Sequence, residues 1–212
     1  MYTLQVILGS TRPTRAADPV AHWVLDRASK HEAFQPELLD LRDWPLPMFG
    51  EHFGTIGDFN DPTYSDPIVW SWNTKIREGD AYLVITPEYN HSVPGVLKNA
   101  IDSVFVSFAF RNKPMGIVAY SGGNTGGIRA AEHLAQIAIE TEAAPLRSSM
   151  GISFVENAFD AEGEPTDPMV EAKLSVLLDD LAWWAGALGR ARAEGELPPA
   201  VLRMRAAMTA SA

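Results

Sequence analysis

Three stretches of nearly unbroken apolar residues, at 4–8, 81–86 and 115–120, each run into a polar loop and then into a helical pattern. Strands without polar alternation are buried on both faces, as in parallel sheets covered by helices. Further strand patterns at 34–41 and 146–155, and helical patterns at 19–30, 67–77, 94–108, 127–142 and 168–188, complete a regular alternation. This predicts an α/β architecture: a five-stranded parallel sheet in the order 2-1-3-4-5 with helices on both faces. The last helix has its own start and stop, with Asp167 as the expected cap, Pro168 in the first turn and Gly189 just past its apolar stripe. One domain over 1–189 is therefore expected. Residues 190–212, rich in Ala and Arg and interrupted by Pro198-Pro199, form a peripheral extension.

Composition narrows the function classes. The chain has 212 residues, 46% hydrophobic and 21% charged, which suits one soluble domain with a full core. Its net charge of −10 comes with no concentrated basic run, which disfavours a nucleic-acid partner or an anionic membrane surface. There is no cysteine, so disulfides, thiolate catalysis and cysteine-held metals or clusters are excluded. No apolar run approaches the ~20 residues of a membrane helix, and the chain enters its first strand without a charged leader. These features lead to the expectation of a cytoplasmic protein with no metal site.

In an open parallel sheet, ligands bind outside the carboxyl ends of the strands. Three loops qualify. The first, GSTRPTR at 9–15, combines hydroxyls, arginines and the free amides of a coming helix, a plausible anion cradle. It matches neither the dinucleotide fingerprint nor the nucleotide-triphosphate loop, so a single phosphomonoester suits it better. A plain turn with surface arginines is the alternative. The second lies in TPEYNHSVPGVLKNAID at 86–102, where Tyr89 can pack on a planar group and Asn90 can donate and accept. His91 reads as a structural hydrogen-bonder, and Lys98 and Asn99 are expected to face solvent or a subunit boundary. The third, SGGNTGG at 121–127, lets backbone approach a ligand closely; alone, it is equally a glycine turn. The connection at 42–66 carries Phe49, Phe53, Phe59 and Tyr64, which either cover a planar ligand or a subunit, or pin the loop to the core.

With these motifs in hand, the chain resembles the NAD(P)H-dependent FMN reductases, which include quinone, azo-dye and chromate reductases. The matching stretches are GSTRPTR, TPEYNHSVPGVLKNAID and SGGNTGGIRAAEHL, and the resemblance covers roughly residues 3–188. It implies a flavodoxin-like three-layer sandwich, bound FMN, and NAD(P)H as co-substrate. Ser10, Arg12 and Arg15 resemble the family's phosphate-loop positions. Pro87, Glu88, Tyr89 and Asn90 match its isoalloxazine loop, and Ser121, Gly122 and Gly123 the turn near the flavin's pyrimidine edge. Thr14 to Pro19 depart from the family pattern, and Asp18 is expected to turn away from the phosphate and cap the helix before Pro19. The resemblance implies a ping-pong reaction in which nicotinamide reduces the flavin at N5 and a quinone or similar small acceptor then takes the electrons. No catalytic side chain is expected. A homodimer or homotetramer is also implied, with Glu88 and Arg129 as a candidate ion pair between subunits. A flavodoxin-type electron carrier and a non-enzymatic FMN-binding module are the competing readings.

Overall fold

A computed structural model describes residues 1–210. In chain order the elements are β1 (Tyr2–Leu8), α1 (Ala17–Lys30), β2 (Phe34–Asp40), β3 (Gly57–Asp58), β4 (Asp61–Pro62), α2 (Pro67–Glu78), β5 (Ala81–Pro87) and α3 (Gly95–Asp102). They continue with β6 (Pro114–Tyr120), α4 (Ile128–Glu140), β7 (Ala144–Pro145), β8 (Met150–Ile152), α5 (Pro168–Gly195) and α6 (Ala200–Ala210). The main sheet is parallel, in the order β2-β1-β5-β6-β7, with β8 also on β6. The pair β3-β4 is a separate antiparallel ribbon within the 42–66 connection. Leaving that ribbon aside, the order is the expected 2-1-3-4-5, and the fold is a flavodoxin-like sandwich.

The two faces of the sheet bury alternate residues, as the strand pleat requires. Val6, Leu8, Leu83, Ile85 and Val118 pack with α1 and α5, including Val20, Val24, Leu177 and Leu181. Ile7, Tyr82, Val84 and Ile117 pack on the other side with Trp72, Ile76, Leu97 and Leu134 of α2, α3 and α4. Every residue of β5 and β6 is buried, which explains their unbroken apolar character. Asp66 and Asp167 cap α2 and α5, each accepting an amide from two residues ahead, with proline in the first turn.

Several expected elements differ in detail. Of the strand expected at 146–155 only β8 forms, with the short β7 lying just ahead of it; between them the Ser149 hydroxyl oxygen accepts the Ile117 amide at 3.1 Å in place of a strand carbonyl. The helix expected at 94–108 ends at Asp102, where Ser103 bonds back to the Asn99 carbonyl at 2.7 Å; a 3₁₀ turn at Phe105–Ser107 follows, and Phe108 is left-handed. Helix α5 does not stop at Gly189 but continues to Gly195. A mid-helix glycine costs only ~1 kcal/mol, and Arg192 in the added turns donates to the Asn112 carbonyl at 2.6 Å. Beyond it, α6 buries no side chain. The last two residues of the expected extension, 211 and 212, lie outside the described residues.

Candidate functional site

Register decides the geometry: Leu8 pairs with Ile85, and Ile85 with Val118, so β1, β5 and β6 end at one edge. The first loop leaves that edge at Gly9, where a Cβ would lie 2.9 Å from Leu97 Cδ2; only glycine lets α3 approach so closely. Ser10 is fully buried, and its hydroxyl shares a 2.9 Å hydrogen bond with the Tyr89 hydroxyl. Arg12 lies over the Tyr89 ring, 4.3 Å from its centroid, and makes no ion pair among the described residues. Two loops are thus tied by one tyrosine.

Arg15 is enclosed, with a side chain only 3% exposed. Its Nη1 donates to the Ser10 carbonyl at 2.6 Å and to Asp40 at 2.7 Å, its Nη2 donates to Asp40 at 2.5 Å, and its Nε donates to Asp18 at 2.7 Å. Burial pushes the Asp40 carboxyl up, but hydrogen bonds from Arg15 and the Arg42 amide outweigh this and hold it below the ordinary range. Asp18 does not cap α1 as expected. It lies inside the first turn, Ala16 is at the cap without a side-chain bond, and Asp18 pairs with Arg15. Arg42 closes the loop from outside by donating to the Arg12 and Pro13 carbonyls. Among the described residues, the amides of Thr11, Arg12, Thr14 and Arg15 donate to no protein acceptor. Carbonyls are thus satisfied by arginines while amides stay free, the arrangement that receives an anion.

In the second loop, Glu88 donates its amide to the Tyr120 carbonyl at 3.1 Å, and Tyr89 and Ser92 exchange amide bonds of 2.9 and 3.1 Å. Between them Asn90 and His91 have φ of 50° and 70°. Two successive left-handed residues make a tight turn that asparagine tolerates better than most side chains. Glu88 pairs with Arg129 of the same chain. Arg129 also meets His91, and His133 meets Ser92 at 3.0 Å, so His91 is a structural bonder. Asn99 does not face solvent: it accepts the Phe49 amide and donates to the Pro47 carbonyl, both at 2.9 Å, clamping the 42–66 connection. Phe53 and Phe59 contact Phe108, and Tyr64 is buried beside Ile56 and Val69, so these aromatics pin the connection to the core.

The third loop is held by backbone. Ser121 donates to the Ile152 carbonyl, and the Val155 and Phe154 amides return to Ser121 and Gly123. Gly126 and Gly127 have positive φ, and a Cβ on Gly127 would lie 2.7 Å from the Tyr120 nitrogen. These two glycines serve close packing, whereas Gly122 has open space around it.

Between the loops is a cavity of about 440 Å³. Of the residues expected from sequence, Arg12, Arg15, Pro87, Glu88, Tyr89, Asn90, Ser121 and Gly122 line it. Ser10 lies beneath it, bonded to Tyr89, and Gly123 is not on its wall. Sequence reasoning missed Thr14, Ala16, Tyr120, Val155 and Glu156. Tyr120 ends a strand beside a motif and was findable; Val155 and Glu156 carry no local signal. Among the described residues, two buried oxygens on this wall, Tyr120 Oη and Glu88 Oε2, have no hydrogen-bond partner. Burial also pushes the Tyr120 phenol up. Unpartnered polar atoms, free amides and an unpaired arginine around one cavity fit a phosphorylated, hydrogen-bonding heterocycle such as FMN. A larger groove of about 830 Å³ adjoins it past Arg15 and Val155, but its central Arg27 is already paired with Asp26, Glu164 and Glu171.

Known proteins resemble this chain in sequence and fold. A family model described as NADPH-dependent FMN reductase matches residues 2–157. An NAD(P)H-dependent FMN reductase of Schizosaccharomyces pombe is 36% identical over 122 residues, 58% of each chain. A quinone reductase of Pseudomonas putida is 33% identical over 134 residues, 61% of this chain and 66% of the relative. The chain thus spans about three fifths to two thirds of the length of these relatives. The structure of FerB, a flavoenzyme NAD(P)H:(acceptor) oxidoreductase of Paracoccus denitrificans, superposes with a TM-score of 0.69. It covers 88% of this chain and 98% of its own at 24% identity, a likeness of fold.

Proposed function

This chain belongs to the NADPH-dependent FMN reductase family, and we propose that it passes electrons from NAD(P)H through FMN to quinones or similar small acceptors. The observation that carries this reading is the single cavity in which unpartnered Tyr120 Oη and Glu88 Oε2 meet the free amides of the first loop. FMN, when bound, supplies the exchange of electron pairs between nicotinamide and acceptor. The protein's part is binding, orientation and electrostatics.

Arg12 and the amides of Thr11, Arg12, Thr14 and Arg15 would hold the phosphate above Ser10, and Arg15 orients the loop through its bond to the Ser10 carbonyl. The uncapped start of α1 adds its positive dipole end. Pro87, Glu88, Tyr89 and Asn90 form one wall for the ring, with Glu88 fixed by Arg129. On the other side the Gly122 amide would offer a backbone donor to the ring's polar edge, beside Ser121, whose own amide is given to the Ile152 carbonyl, and Gly123, which lies off the cavity wall. The unit expected over 1–189 extends with α5 to Gly195, and α6 is peripheral to it. The reading includes a cytoplasmic homodimer or homotetramer, supported by exposed Val96, Ile128 and Ile139 on α3 and α4.

The test is the visible spectrum of the purified protein with added FMN. Flavin bands that bleach anaerobically with NADPH or NADH, and return on adding a quinone, are expected. A preparation that refuses FMN overturns the reading, and bound flavin that ignores both nicotinamides favours an electron carrier.

A further inference from the structure

Opposite the three loops, at the amino edge of the sheet, a second cavity of about 250 Å³ gathers cations that the flavin site does not use. The chain has 27 acidic and 17 basic residues, yet Arg77, Arg111, Lys113 and Arg192 all line this small space. Two of them are balanced. Arg111 lies 3.2 Å from Glu196 and 3.7 Å from Glu142, and Arg192 lies 3.7 Å from Asp80. The other two meet no carboxylate among the described residues. Arg77 donates only to the carbonyls of Phe59, Asn60 and Ser107, at 2.8, 3.2 and 3.1 Å. Lys113 Nζ donates to the Arg77 carbonyl at 2.8 Å and to the Tyr82 hydroxyl at 3.1 Å. Two uncompensated cations facing one cavity in an acidic protein favour an anion there.

The rest of the wall is Asn60, Ser107, the Glu196 carboxylate, which is taken up by Arg111 and Asn112, and the apolar Phe59, Phe108 and Ala109. Phe59 and Phe108 meet edge to face with centroids 6.0 Å apart, and both line the cavity. Its volume lies below the ~300–1,000 Å³ of sites for drug-sized ligands, which excludes a nucleotide. A flat ring carrying one carboxylate matches aromatic walls and planar guanidinium donors. We propose that this cavity binds a small aromatic carboxylate, its carboxylate against Lys113 and the arginines and its ring against Phe59 and Phe108.

Proton linkage provides the signature. Burial pushes the Lys113 ammonium down to about 7; Arg192 and Arg77 push the same way, while Asp80 and Glu196 oppose them. Tyr82, the remaining titratable neighbour, is itself pushed far up by burial and stays protonated. A carboxylate beside Lys113 favours the ammonium form, so binding is tightest below that value. Above it, each complex takes up a proton and affinity falls with pH.

The experiment is isothermal titration of the full-length, FMN-loaded protein with benzoate, at pH 6 and pH 8, in buffers of different ionisation enthalpy. One saturable site is expected, about tenfold weaker at pH 8 than at pH 6, with nearly one proton taken up at pH 8. Lys113→Met should weaken binding at pH 6 at least about tenfold and remove the pH dependence. Phe59→Ala, which keeps every cation, should weaken benzoate but not acetate; it carries the test if Lys113→Met fails to fold. Four results overturn the proposal: no saturation at pH 6, equal binding of neutral benzyl alcohol, inorganic phosphate bound in place of benzoate, or displacement of FMN by benzoate. The FMN absorbance, followed in the same titration, separates that last result from a failure of the flavin reading.

Discussion

Residues 9–16 and 121–127 both lead from a central strand to a helix at the same edge, but side-chain charge holds the first and backbone sterics the second. In the first, Arg15 and Arg42 take the carbonyls of Ser10, Arg12 and Pro13, leaving amides without acceptors. In the second, the Ser121 amide and the carbonyls of Ser121, Gly123 and Gly126 are taken up by the backbone around β8. The difference teaches which loop can receive a phosphate. A loop whose carbonyls are taken by arginines sets its free N–H groups beside positive charge and suits an anion, while a loop whose carbonyls are taken by neighbouring amides offers N–H groups without that charge.

The largest effect should come from Gly127→Val. A Cβ there meets Tyr120 N and O at 2.7 and 2.8 Å, on a residue with φ of +80°. Urea denaturation should show a loss of about 4 kcal/mol or more, while Gly122→Ala, with open space around it, should change little. A mild loss at Gly127 would mean that the third loop is not sterically held.

Arg15→Leu should come next, at about 3 kcal/mol, because Asp40 would be left enclosed without its partner. The sign of the pH dependence follows from Asp40, whose folded carboxyl is held below 3.8, the usual aspartate value. That stabilisation is full above the usual value and lost as pH falls through the lowered one. The gap between parent and variant should therefore narrow below about pH 4; a gap constant to pH 2 would show that charge does not hold the first loop.

The smallest change in stability, about 1 kcal/mol or less, is expected from Tyr120→Phe, since the hydroxyl has no hydrogen-bond partner among the described residues. The same variant should raise the FMN dissociation constant about threefold to tenfold, read by quenching of flavin fluorescence. An unchanged constant would remove Tyr120 from the cofactor wall.

Much of this site was legible because its residues sit in contiguous motifs at strand ends. Tyr89, Glu88 and Asn90 follow one apolar run, and Ser121 and Gly122 follow another. What escaped was contact between distant segments. Asn99 looks like a surface residue on α3 until its amide is seen holding Phe49 and Pro47, about fifty residues earlier. Asp18 looks like a helix cap until Arg15 claims it. Gly189 reads as a stop signal, but the partners of Arg192 make it worthwhile for α5 to continue.

By itself the sequence determined the α/β alternation, the sheet order and the three loops, because strand burial and helix periodicity are local signals that each stretch carries independently. Only the tertiary structure decided that Arg15 serves the loop, that Glu88 and Arg129 pair within one chain, and that Tyr120 and Glu88 present unpartnered oxygens to one cavity. It also decided that four cations, spread from residue 77 to residue 192, share one space at the far edge. Charges act through distance in space, and that distance exists only once the chain has packed.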